Sequence, residues 1–217
     1  MFKNKQSFFS ILALILAIYF APTALAKEKI EFEQTNYGRT EAKIIKVTSL
    51  ANPLAQKYIN STIQAEALDF AKGVQDEYYT SNIGSKVMYQ QNNLLSIYLL
   101  EYVYSEGAAH GMSFAKTFTF NLKTGDLYQL QELFQNGSDY QNKINTFIRN
   151  DIQKRDIYLF EEFSGIDTEQ EFYLKDNALV VYYQIYRYTP YAEGFLEFEI
   201  PYHQLNDIFA ADFKLLN

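Results

Sequence analysis

The chain holds two histidines and no cysteine, so any imidazole chemistry runs through His110 or His203 and no thiolate chemistry is available. His110 stands in the segment Ser105-Glu106-Gly107-Ala108-Ala109-His110-Gly111-Met112-Ser113, between two apolar runs. An imidazole flanked by hydroxyls and a carboxylate could act as a general base or as a ligand-facing donor beside Ser105, Glu106 and Ser113. The same residues also suit a histidine that hydrogen-bonds loop backbone where small neighbours let the chain pass closely. No G-x-S-x-G elbow supports a serine hydrolase. His203, after Pro201-Tyr202, reads as structural or solvent-facing. No H-x-x-x-H or H-E-x-x-H spacing occurs, and Asp167 to Glu171 lacks the glycine turn of a calcium loop, so neither a metal nor another cofactor is expected. The paired acids Glu161/Glu162, Asp167/Glu169 and Glu193/Glu197 read as solvated loop carboxylates, since no spacing marks a glycosidase pair.

A second feature is aromatic. Tyr182, Tyr183, Tyr186, Tyr188 and Tyr191 crowd ten residues of a chain with 19 Tyr, 18 Phe and no Trp. Read as one strand, Tyr182, Tyr186 and Tyr188 share a face and Tyr183 with Ile185 takes the other. Two readings follow: sheet-core rings with hydroxyls at the rim, or a tyrosine-rich binding surface.

The elements that would position these residues begin after residue 26. Lys3 and Lys5, an apolar stretch from Phe8 to Ala21 and the small-residue Ala24-Leu25-Ala26 site make residues 1–26 a secretory signal peptide. Its apolar part covers roughly 21 Å as a helix, short of a ~30 Å hydrocarbon core, so no membrane span remains after cleavage. The segment carries two Lys and no acid, so its removal takes the net charge from −7 to −9. That sign argues against nucleic acid and anionic membranes and favours a cationic or neutral partner. An exported, cysteine-free chain with no disulfides depends on its apolar core, and a periplasmic or secreted location is expected.

Residues 28–36 and Glu41–Thr48 alternate as strands around Gly38-Arg39. Asn52-Pro53 opens a helix, with Tyr58, Ile59, Ile63, Ala67, Phe70 and Val74 at helical spacing. Strands are expected at Lys86–Gln90, at Asn93–Ser105 (apolar on both faces, hence central) and at Phe114–Leu122, where Phe114, Phe118 and Phe120 share a buried face. A helix follows over about Asp139–Arg155, capped by Ser138, then a hairpin of Glu171–Lys175 and Ala178–Tyr188, a strand at Phe195–Ile200, and a short helix from Pro201 through Phe209. Hairpins dominate, which predicts an α+β fold of antiparallel sheets with helices packed on them, in one domain over 27–217 built of two helix-plus-hairpin halves near 27–122 and 123–217.

Two stretches, Glu101 to Phe134 (EYVYSEGAAHGMSFAKTFTFNLKTGDLYQLQELF) and Tyr188 to Leu205 (YTPYAEGFLEFEIPYHQL), resemble the extracytoplasmic domain of RsiV-type anti-sigma factors, which sense lysozyme. The same domain precedes a catalytic domain in some peptidoglycan deacetylases and occurs in stand-alone exported proteins. The resemblance lies in the Ala-His-Gly loop, the aromatic strand with its Thr-Gly turn, and the Pro-Tyr-Ala-x-Gly loop before Ile-Pro-Tyr. It implies an exported binding domain. Seven residues before the apolar stretch leave no room for a sigma-binding segment, which sets sigma-factor regulation aside. The expectation is a non-enzymatic domain that recognises a basic, cell-wall-active protein such as lysozyme through the 105–113 and 189–194 loops, with Ser105, Glu106, His110, Pro190 and Tyr191 in contact. Peptidoglycan binding on surface tyrosines is the alternative, and a hydrolase built on Ser105 or Ser113 with His110 the more distant one. The oligomeric state is left open.

Overall fold

Alternation at two periods builds the molecule in four layers. The computed structural model describes residues 28–74 and 76–214; the expected signal segment lies outside them. Strands β1 (Lys29–Tyr37) and β2 (Thr40–Thr48) form a hairpin around Gly38-Arg39, with Gly38 at φ +61°. Helix α1 (Pro53–Lys72) follows. Asn52 caps it by accepting from the Leu54 and Ala55 amides, and Pro53 stands where no amide proton is required. Its buried stripe is Ala55, Ile59, Ile63, Ala67 and Ala71, one residue per turn, and Tyr58 turns outward.

β3 (Tyr79–Gln91), β4 (Leu94–Ser105) and β5 (Met112–Asn121) complete a sheet of order β1-β2-β3-β4-β5. β3 and β4 join through Asn92-Asn93, both at positive φ, the geometry that lets a two-residue hairpin follow the sheet twist. One pairing departs from the antiparallel expectation. β2 and β3 are parallel, Thr40–Lys43 against Ser81–Gly84, because α1 carries the chain back to the same end of the sheet. β3 also starts at Tyr79 rather than Lys86. The polar Thr-Ser-Asn segment has weak strand preference alone but is hydrogen-bonded to strands on both sides.

After the Leu130–Leu133 turn, α2 (Tyr140–Lys154) buries Ile144 and Ile148, with Asp139 rather than Ser138 at its N-cap and no side-chain cap bond. β6 (Phe172–Leu174), β7 (Ala178–Tyr183) and β8 (Leu196–Pro201) form an antiparallel three-stranded sheet. The helix expected through Phe209 is only a three-residue turn, Tyr202–Gln204, because the chain then straightens to bridge Phe209 to Phe134. The fold class is α+β, with residues 29–121 carrying α1 and the larger sheet and residues 140–201 carrying α2 and the smaller one.

β4 sets the stacking. Leu95, Ile97 and Leu99 pack with α1, while Tyr98 and Leu100 face the second sheet beside Ala115, Tyr173, Val180 and Tyr182. The outer face of that second sheet, including Leu179, Val181, Phe198 and Ile200, covers α2. β6 crosses the larger sheet strand by strand. Thr117 of β5 donates to the Phe172 carbonyl at 2.7 Å, Ser96 of β4 accepts from the Leu174 amide at 3.0 Å, and Gln91 of β3 donates to Asp176 at 3.3 Å. Ser96 is buried and also hydrogen-bonded to Thr119. Ser96→Ala is therefore expected to strand the Leu174 amide and cost about 1–3 kcal/mol in a denaturant melt.

Glu101, 4% exposed on the α1 side of β4, accepts from the Ser81 hydroxyl at 2.7 Å. Burial pushes its carboxyl above the ordinary value near 4.5, and the Ser81 bond only partly offsets this. A raised carboxyl pKa means the folded chain holds the proton more tightly than the unfolded one. Its stability contribution is complete below the ordinary pKa and is lost as pH rises through the raised one. In parallel denaturation series, wild type should lose stability relative to Glu101→Gln as pH climbs from about 4, the difference levelling off once the carboxyl is ionised.

Candidate functional site

The two loops singled out by the sequence meet at one end of the larger sheet. β4 and β5 separate after the Val103–Met112 pair, and Ser105 remains paired to Tyr79 of β3. The Glu106 amide donates to the Tyr78 carbonyl, the Ala108 amide to the Ser105 carbonyl and the Tyr104 hydroxyl to the Ala108 carbonyl. These bonds, with Gly107 at φ +83°, fold the loop tightly and leave Glu106 and His110 exposed. At Gly111 a Cβ would lie 2.3 Å from the end of the Tyr102 ring, so any other residue there would displace that side chain.

His110 Nδ1 is 2.8 Å from the Gly111 carbonyl oxygen, which only accepts, so Nδ1 carries the proton and a neutral ring keeps its Nε2 lone pair. Among the described residues no hydroxyl is hydrogen-bonded to the ring; Ser105 and Ser113 stay half-buried on their strands. The face of the ring is taken by Tyr191, stacked at 3.9 Å between centroids and 21° between planes. Tyr186 leans on the other ring at 5.9 Å.

The second loop is delivered to this position by Gln184. Its side chain accepts from the Ala115 amide at 3.1 Å and donates to the Ala115 carbonyl at 2.7 Å, imitating a strand partner on the free edge of β5; its nitrogen also reaches Glu171 at 3.0 Å. That diversion ends β7 at Tyr183, five residues before the expected end. Tyr186, 48% exposed, then takes φ +69°, a left-handed conformation that costs a tyrosine energy. The expected shared face of Tyr182, Tyr186 and Tyr188 is lost with the strand: Tyr182 faces the larger sheet, Tyr188 is buried against Phe163 and Tyr183, and Tyr186 is at the surface. Arg187 lies over the Tyr188 ring and pairs with Glu161. Pro190 starts the Tyr191–Glu193 turn, and Gly194 leaves it at φ +67°, ψ −146°, a conformation essentially confined to glycine.

The structure thus brings His110 and Tyr191 into contact, with Glu106 exposed on the loop of the one, Pro190 preceding the other and Ser105 at the end of β4. Phe114, expected in the core with Phe118 and Phe120, is 41% exposed at the loop end of β5, and Tyr102 beneath Gly111 is equally exposed. His203 is exposed on the Tyr202–Gln204 turn. Among the described residues no three His, Asp or Glu side chains cluster closely enough to hold a metal ion.

Residues 131–203 match the model of a family described as a protein of unknown function, DUF3298. The match spans α2, the smaller sheet and the Pro190–Gly194 loop; the 105–113 loop lies outside it. The whole fold is similar to the crystal structure of a DUF3298 family protein from Pseudomonas aeruginosa, 16% identical with a TM-score of 0.58, over 86% of this chain and 95% of that one. It is also similar to a DUF3298 family member from Bacteroides fragilis, 14% identical with a TM-score of 0.61, over 87% and 96%. No curated protein matches. At these identities the likeness is one of fold.

Sequence reasoning missed Gln184, Tyr102 and Phe114. The signal for Gln184 was a polar residue interrupting an apolar run (LVVYYQI), a sign that the strand stops there. Gln184→Ala should leave both Ala115 backbone groups unpaired and release the loop. Hydrogen exchange is expected to accelerate at Ala115 and over 185–191 while the β1–β2 hairpin is unchanged, with a stability loss of about 1–3 kcal/mol.

Proposed function

We propose that this is an exported, non-enzymatic binding domain that captures a basic, cell-wall-active protein such as lysozyme, as the resemblance to the RsiV-type extracytoplasmic domain implies. The stacking of His110 on Tyr191 carries the reading, because it makes one rigid surface from two loops 80 residues apart in sequence. Rigid aromatic contacts placed by packed strands suit recognition, since little conformational freedom is lost on binding. Glu106 and Glu193 sit exposed on these loops in an acidic chain, so a cationic partner is steered toward them. Insertion of the Ser105–His110 edge into a glycosidase cleft would cover its carboxylates and block it without any chemistry. The periplasmic or secreted location belongs to the same proposal.

Calorimetric titration against a basic animal-type lysozyme, at low and near-physiological salt, tests it alongside a cell-wall lysis assay. Binding that survives salt and slows lysis is expected. Ser105→Ala, His110→Ala and Tyr191→Ala should each weaken binding by about tenfold or more. Wild-type affinity in all three variants would put the contact surface elsewhere. Association seen only at low salt would be charge attraction without a specific interface.

A further inference from the structure

A second site lies between the two sheets, away from the loop surface. The smaller sheet covers β4 and β5 and reaches β3 beside Gln91, but it leaves a cleft of about 540 Å³ over Gly84–Met88. This falls inside the range of small-molecule pockets, roughly 300–1,000 Å³. Met88, Tyr98 and Leu100 form a half-buried apolar floor. Gly84, paired with Leu100, leaves the cleft open: a Cβ built there meets nothing within 4 Å, and its φ is not in the left-handed region. Tight packing and backbone strain therefore do not account for a glycine at this strand position.

Two opposite charges border the floor. Lys86 stands beside Tyr98 in the β3–β4 ladder and makes no ion pair among the described residues. Glu197, half-exposed on β8, projects on the side opposite Leu196 and Phe198 and lies near the Tyr98 and Tyr173 hydroxyls. Lys86 and Glu197 line the same cleft without pairing to each other, whereas the neighbouring Lys175 is already spent on Glu199. An apolar floor between a cation and an anion that are in no ion pair among the described residues, the anion held by the Tyr173 hydroxyl, is complementary to a zwitterion with an apolar body. Fatty acids would leave Glu197 unanswered, and a neutral sugar would leave Lys86 unanswered.

We propose that this cleft binds a short peptide with free termini and an apolar side chain, its carboxylate on Lys86, its ammonium on Glu197 and its side chain on Met88, Tyr98 and Leu100. This proposal does not rest on the loop surface or on its partner.

The probe is leucyl-leucine, titrated into the full protein and followed by calorimetry and by chemical-shift changes at β3 and β8. Saturable binding is expected, weakened about tenfold or more by N-acetylation and likewise by C-terminal amidation. Gly84→Leu puts a side chain where a Cβ meets nothing within 4 Å, and it should abolish binding while leaving the unfolding temperature at or above that of wild type. Lys86→Met, at an exposed position, should weaken the free peptide and remove the penalty of amidation. No binding at millimolar peptide would overturn the proposal. So would unaltered binding to a folded Gly84→Leu protein, or N-acetylmuramic acid binding the cleft where the dipeptide does not.

Discussion

Burial of β4 on both faces is the constraint from which the other layers follow. Leu95, Ile97 and Leu99 are committed to α1, and Ser96, Tyr98 and Leu100 to the second sheet. A slip of one residue would turn Ser96 into the α1 interface and Leu95 onto the Leu174 amide, exchanging an apolar contact for a hydroxyl on one side and a hydrogen bond for a methyl group on the other. Register is thus fixed twice over. The ends of β4 inherit that precision: the Asn92-Asn93 turn at one end, the Ser105–Gly111 loop at the other. The Ser105–Gly111 loop, mounted on a strand that cannot slide, is held at its root as firmly as the core itself.

The abundance of tyrosine follows from the same layering. Tyr173, Tyr182, Tyr183 and Tyr202 are inside, and burial pushes all four hydroxyls well above their ordinary pKa, so they stay neutral. Tyr202 reaches the Lys175 carbonyl at 2.6 Å, while among the described residues the buried Tyr183 hydroxyl has no hydrogen-bond partner and that of Tyr182 lies near Thr117 and Glu171. An unpaired hydroxyl costs stability that a phenylalanine would not, and the contacts of the Tyr183 ring with Phe163, Tyr188 and Phe198 offset it. The tyrosine run is split between core and surface: Tyr182, Tyr183 and Tyr188 are buried, whereas Tyr186 is exposed and Tyr191 half-buried beside it.

What was legible in the sequence was local. Asn52-Pro53 states a helix start by chemistry that needs no neighbour, and the Asn92-Asn93 and Lys123–Asp126 turns likewise follow from residues that tolerate positive φ. β4 was legible because burial on both faces leaves an unbroken apolar run. What failed was set by distant pairing. Thr80 to Ser85 is a strand only because β2 and β4 flank it, and β7 ends where it does only because Gln184 finds Ala115 across 69 residues of chain. Phe114 was misassigned because alternation gives a side chain its face without saying how far along the strand that face is covered. The two site loops stood out through a family resemblance and an unusual cluster of small residues around one histidine. Nothing in either loop announced that His110 and Tyr191 would stack.

Gly194 links the two surfaces of the molecule. Its backbone reverses the chain between the Tyr191–Glu193 turn and β8 in a conformation no side chain tolerates well. On one side of it stands Tyr191, whose ring covers His110; on the other, Phe195 packs at 6.1 Å on Tyr98, and Glu197 borders the cleft between the sheets. Phe195 also touches Tyr182, so the chain is anchored just before β8 to the same aromatic cluster that floors the cleft. Seven residues of chain, Tyr191 to Glu197, therefore carry contacts to both the loop surface and the cleft, with one glycine setting their relative angle. A side chain at Gly194 would disturb the two together, because the aromatic contacts on either side leave neither end of the segment free to absorb the change.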